Sequence, residues 1–189
     1  IDNYPEGQSE ELVAENHPQK PEMGSRSITF SRELWIEETD FAEVPPKGFR
    51  RLTVPADGSP AKPVRLRYGY VIVPTSFEKD AEGRVTVVHA NYLPETKSGT
   101  EGSMSVKTKA TIHWLDAQTA RAAEFRVYDR LFNEPNPEAG EGTFLDHLTP
   151  NSKTILQGYV EPCTADAANE ERFQFERTGY FVADRKDHA

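Results

Sequence analysis

A single cysteine, Cys163, stands in 189 residues. One thiol cannot close an internal disulfide, and a structural zinc site usually needs several Cys or His ligands at short spacing. The five histidines, at 17, 89, 113, 147 and 188, are scattered. No metal site is expected, and the cytoplasm is the expected compartment. Long apolar runs are missing too. No stretch approaches the roughly 20 residues that span a bilayer, so no membrane contact is expected. No basic-then-apolar leader opens the chain, so no signal peptide is expected either. The first residue is Ile1 and the last six are Asp-Arg-Lys-Asp-His-Ala, a pattern expected of a piece of a longer protein.

Positive charge is also in deficit. Lys and Arg number 22 against 31 Asp and Glu, for a net charge of −9. Such a balance argues against nucleic acid for the surface as a whole. A binding protein, however, needs only one local basic face. Catalytic signatures are absent: there is no P-loop, no GxGxxG, no HExxH and no CxxC. A Cys163, His147, Asp146 grouping is conceivable for nucleophilic chemistry. Adjacent Asp and His side chains diverge, though, and no nucleophile motif surrounds Cys163. The pairs Glu37-Glu38 and Glu170-Glu171 lie in polar runs and read as solvated surface.

What is present is a series of short β signals. Fourteen prolines and twelve glycines spread along the chain make long helices improbable. Strands are expected from Arg26 to Ile36 with a break near Ser31-Arg32, at Phe49-Leu52, from Val64 to Val73, and at Val85-Val88 after an Asp80-Gly83 turn. More are expected from Lys107 to Trp114, from Phe125 to Phe132, from Thr154 to Val160, and in a hairpin around Thr178-Gly179. Helical turns are expected only at Thr39-Phe41 and Phe144-Leu148. No internal repeat occurs. The expected fold class is all-β, barrel or sandwich.

The local basic face lies between Arg50 and Arg67. Arg50, Arg51, Lys62, Arg65 and Arg67 face a single acid there, Asp57. Two-residue spacing puts Arg65 and Arg67 on one face of a strand, with Val64, Leu66, Tyr68 and Tyr70 on the other. Guanidinium forks suit phosphates and base edges, and unpaired bases stack on guanidinium and aromatic planes. Solvated arginines on a surface strand are the plainer explanation of that spacing. Lys107 and Lys109 form a second same-face pair, continued by Thr111 and His113. They suit phosphate contact, or simply protect an edge strand. Gln174 offers paired hydrogen bonds to a base. It lies three residues from Arg177, so a regular strand would put the two on opposite faces; a bulge or a strand end is required.

Ordered motifs then converge. Ile1-Asp2-Asn3-Tyr4, Asn16-His17-Pro18, Pro21-Glu22-Met23-Gly24-Ser25-Arg26, Phe30-Ser31, Trp35-Ile36 and Val64-Arg65-Leu66-Arg67 are followed by Thr111-Ile112-His113-Trp114, Val127 to Phe132, and Phe173-Gln174-Phe175-Glu176-Arg177 with Gly179-Tyr180-Phe181. Along essentially its whole length the chain resembles the C-terminal, anticodon-binding region of bacterial-type glutaminyl-tRNA synthetases. The resemblance implies two β-barrels with short helical turns: a proximal one from residues 1–45 and 126–189, and a distal one from residues 46–125. It implies that Arg65 meets the first anticodon base with Arg67 beside it. Arg51 would recognise the third base, with Arg50 in the place of a neighbouring lysine. Gln174 and Arg177 would belong to the second-base pocket, whose further arginine in the family falls upstream of Ile1. The implied partners are tRNA(Gln) and an N-terminal catalytic domain, and a monomer is expected. ATP and Mg would be cofactors of that missing domain, so the chain alone should be inactive in ATP-dependent glutamine–tRNA ligation. The equivalent domain of a eukaryotic or archaeal-type glutamyl-tRNA synthetase, or a stand-alone β-barrel protein-interaction module, are the alternatives.

Overall fold

The structure, a computed structural model, describes residues 1–139 and 142–187; His188 lies outside them. The described residues are all-β. Twelve strands run in chain order: β1 (Ser9–Glu15), β2 (Ser25–Ser31), β3 (Leu34–Ile36), β4 (Val64–Leu66), β5 (Val71–Lys79), β6 (Val85–Leu93), β7 (Thr111–Ile112), β8 (Trp114–Asp116), β9 (Arg121–Tyr128), β10 (Lys153–Val160), β11 (Arg172–Phe175) and β12 (Gly179–Val182). Between them lie only short 3-10 turns, including Glu38–Asp40 and Phe144–His147 where helical turns were expected. The strands pair as five separate sheets, one of four strands in the order β6-β5-β4-β7 and four of two strands. None closes on itself, so the hydrogen bonding of these residues does not complete a barrel.

Two compact units emerge. One comprises Ile1–Ala120 with the C-terminal stretch from Glu161; the other is Arg121–Val160. The second is built on the β9–β10 hairpin, with Leu156 opposite Phe125. A Phe132–Leu148 bridge ties its irregular connection.

The first unit has an aromatic centre. Phe30 is fully buried and meets Tyr4, Tyr70 and Trp114 at ring separations of 5.0, 5.1 and 5.3 Å. Tyr4 and Trp114 approach edge-on, the arrangement that ring quadrupoles favour. Leu52, Val64, Leu66 and Ile112 complete the core with no exposure above 1%. The Glu10 carboxylate accepts from the hydroxyls of Tyr4 and Tyr70 at the rim and pairs with Lys97.

Three strand expectations are corrected, and each correction relocates a basic residue. The Val64–Val73 run is not one strand. Leu66 N–H donates to the Tyr70 carbonyl (2.8 Å) and Gly69 N–H to the Leu66 carbonyl (2.9 Å), folding residues 67–69 into a tight turn between β4 and β5. Tyr68 sits there at φ 60°, a rare conformation for a bulky residue, and is only half-buried rather than part of the core. Tertiary bonds override the strand propensity. Trp114 Nε1–H donates to the Arg67 carbonyl at 2.8 Å, and Arg67 N–H donates to the Ile112 carbonyl at 2.9 Å. Arg65 and Arg67 therefore do not share a continuous strand face. Phe49-Leu52 forms no strand either; Leu52 makes an isolated parallel bridge to Phe41. The third correction concerns Lys107 and Lys109. Both are exposed in an irregular segment, and the strand begins only at Thr111. There the pairing is set by parallel contact with β4, Leu66 opposite Ile112.

Candidate nucleic-acid interface

The chain assembles its site within the first unit from three places: the turn after β4, the β7–β8 segment, and the hairpin of β11 and β12. Arg67, Thr111, Ile112, His113, Gln174, Glu176 and Arg177 line a cleft of about 300 Å3. Gln174 points outward from β11, its neighbours Phe173 and Phe175 being more buried. Residues 176–178 form the turn to β12, and Arg177 there takes φ 64°. That strand end resolves the three-residue spacing: leaving the pleat lets Arg177 reach the cleft that Gln174 faces.

Each guanidinium has a distinct environment. Arg65 is turned inward to a loop. Its Nη1 donates to the carbonyls of Thr96 (3.0 Å) and Gly69 (3.3 Å) and to Ser98 Oγ (3.2 Å), and its Nη2 to the Ser103 carbonyl. Among the described residues no carboxylate compensates it, and burial pushes its pKa down. Arg67 stacks over the Tyr68 ring at 4.9 Å and pairs with Glu176 at 2.8 Å across the cleft. Its Nε is buried with no hydrogen-bond partner among the described residues, an exception in a folded protein. Arg177 forks onto Asp40, Nη1 to Oδ1 at 2.8 Å and Nη2 to Oδ2 at 2.6 Å. These bonds hold its pKa above the ordinary arginine value.

Arg51 reaches the same carboxylate, Nη1 to Asp40 Oδ1 at 3.4 Å, and lies over the Phe49 ring at 5.1 Å. The Phe41–Leu52 bridge explains the meeting. Leu52 N–H donates to the Asp40 carbonyl at 2.9 Å, which sets Arg51 beside Asp40. Arg50 is exposed and makes no ion pair or hydrogen bond among the described residues. The structure thus brings Arg67, Gln174 and Arg177 into one cleft and joins Arg51 to Arg177 through Asp40. It places Arg65 behind the turn, and leaves Lys107 and Lys109 in the segment before β7.

Sequence reasoning missed Asp40, Glu176 and Glu161. Asp40 appeared only within the expected Thr39-Phe41 helical turn, and its arginine partner is 137 positions away. Glu161 is 15% exposed and pairs with Arg26 and, at 3.6 Å, with His113 of the cleft wall. Burial pushes its carboxyl up, but Arg26 and His113 outweigh this and bring it to about 2. The conceivable nucleophile is not armed. Desolvation and the Glu161 carboxylate push the Cys163 thiol up, and the Asp146 carboxylate is engaged by Thr143 at 2.8 Å.

Comparison with known proteins decides the family. Models described as tRNA synthetases class I (E and Q), anti-codon binding domain, match residues 1–93 and residues 111–184. The chain belongs to this anticodon-binding family. It is 61% identical over 187 residues to a glutamine–tRNA ligase of Cupriavidus metallidurans, covering 99% of this chain and 31% of the relative. It is 54% identical to the glutamine–tRNA ligase of Ralstonia pickettii, with the same coverage, and 48% identical to that of Nitrosomonas europaea, covering 99% and 33%. The chain spans about a third of the length of these relatives. Both sides of the cleft fall inside the matched segments, Arg67 in the first and His113, Gln174 and Arg177 in the second; Arg51 and Arg65, outside the cleft, also lie in the first. A cleft edged by guanidinium planes and an amide offers stacking surfaces and paired hydrogen bonds of the kind that unpaired bases accept.

Proposed function

We propose that this chain reads the anticodon of tRNA(Gln) for a glutamine–tRNA ligase, whose ATP- and Mg-dependent chemistry belongs to a separate catalytic domain. The chain acts as a monomer in the cytoplasm and supplies recognition alone. The observation that carries this reading is the convergence of Arg67, Gln174 and Arg177 on one cleft, with Arg51 joined through Asp40. Gln174 and Arg177 serve the second base and Arg51 the third, with Arg50 exposed beside it. Arg65, with Arg67 beside it, serves the first base, and Arg65 also holds the Thr96–Ser103 loop. Lys107 and Lys109 are candidate phosphate contacts. The division into a proximal part (1–45 and 126–189) and a distal part (46–125) is part of the same proposal.

Base-edge contacts give specificity and phosphate contacts give register. An arginine fork on a base edge discriminates by about 1–3 kcal/mol. The net charge of −9 repels phosphate away from the cleft, so binding should be weak and salt-sensitive. Fluorescence titration of a tRNA(Gln) anticodon stem-loop at two salt concentrations tests this. Affinity should fall as salt rises, and should fall again when an anticodon base is replaced. Binding indifferent to both would refute the proposal. Because the family description covers glutamate as well as glutamine, the tRNA(Glu) stem-loop is the appropriate competitor, and weaker binding to it is expected.

A further inference from the structure

We infer that Asp40 is a positioning residue for anticodon reading: its buried carboxylate fixes Arg51 and Arg177 relative to each other, so the two bases they meet are read jointly. The inference rests on the function proposed above. Asp40 is 0% exposed, and among the described residues its carboxylate oxygens meet only these two guanidiniums. Its backbone is fixed independently. Asp40 N–H donates to the Glu37 carbonyl (2.8 Å), and its own carbonyl accepts from Leu52 N–H (2.9 Å).

The geometry leaves both arginines able to act. Their side chains are 36% and 37% exposed. A guanidinium has five N–H donors. Arg177 uses two on Asp40, which leaves the rest of its fork for a ligand. Arg51 is held by one oxygen and by the Phe49 ring. Two unscreened guanidiniums would repel each other; one shared carboxylate offsets that repulsion and removes the rotamer freedom each would lose on binding. Discrimination depends on placement within a fraction of an ångström. A loosened carboxylate should therefore blur both readings together.

The test compares wild type with Asp40→Asn, an isosteric change that removes the charge. Three probes are titrated by anisotropy: the tRNA(Gln) anticodon stem-loop, and versions with the second or the third anticodon base replaced. The cognate-to-variant affinity ratio should fall about tenfold at both positions, while the salt dependence of cognate binding stays as in wild type because no phosphate contact is lost. Retained discrimination at either position, in a variant whose circular dichroism matches wild type, overturns the inference. If Asp40→Asn does not fold, Arg51→Gln, Arg177→Gln and the double variant decide. Losses that multiply independently overturn the coupling; a double loss smaller than the product supports it. A wild-type chain that discriminates at neither position overturns the functional reading itself and the inference with it.

Discussion

At the scale of single residues, the fate of each arginine follows from the acceptor it finds. Carbonyl dipoles hold Arg65, a carboxylate within the cleft holds Arg67, and a carboxylate beneath it holds Arg177. Of the three, Arg67 and Arg177 line the cleft. Glu161 shows how strongly such pairing shifts a carboxyl. Its pKa of about 2 lies below the ordinary 4.5. A depressed carboxyl contributes stability above its unfolded value and loses it as pH falls through the folded value. The contribution, on the order of 3 kcal/mol, is therefore complete above about pH 4.5 and disappears toward pH 2. Urea unfolding should show Glu161→Gln destabilised at pH 6 and its stability less dependent on pH between 4.5 and 2 than that of wild type. Curves that run parallel across this window would show that the pair carries no such linkage.

At the scale of elements, the turn between β4 and β5 supplies one wall of the cleft. It aims Arg67 at the cleft, and it is pinned by the indole of Trp114, which is 4% exposed. Trp114→Phe keeps an aromatic ring but leaves the Arg67 carbonyl without that donor. The loss of the hydrogen bond and of packing should destabilise the chain by about 2–3 kcal/mol. It should also weaken anticodon stem-loop binding several-fold, since the turn would no longer be held. Stability measured by urea melts and affinity by anisotropy should both decline; intact affinity in a destabilised variant would detach the turn from recognition. This turn also shows where reading the sequence stops. Val64 to Val73 has strand composition throughout, and a non-glycine residue at positive φ carries no signature in the chain. The hairpin around Thr178-Gly179, by contrast, is legible from that turn pair between two strand-like runs. Asp40 was not, because its importance lies in partners brought to it by a bridge between Phe41 and Leu52.

At the scale of the whole molecule, the surplus of acid and the proposed affinity for RNA are compatible because charge is arranged rather than averaged. Several arginines are spent on internal acids: Arg26 on Glu161, Arg67 on Glu176, and Arg51 and Arg177 on Asp40. Composition revealed the all-β class and the basic stretch from Arg50 to Arg67, since both are local properties. The cleft depends on segments far apart in sequence, and no periodicity reports that. Its role can be read directly by nuclear magnetic resonance, following the arginine Nε–H and Gln174 side-chain amide signals as a tRNA(Gln) anticodon stem-loop is added to the chain. The signals of Arg67, Arg177 and Gln174 should shift together along one binding curve. If they stay still while signals elsewhere titrate, the cleft is not where the anticodon is read.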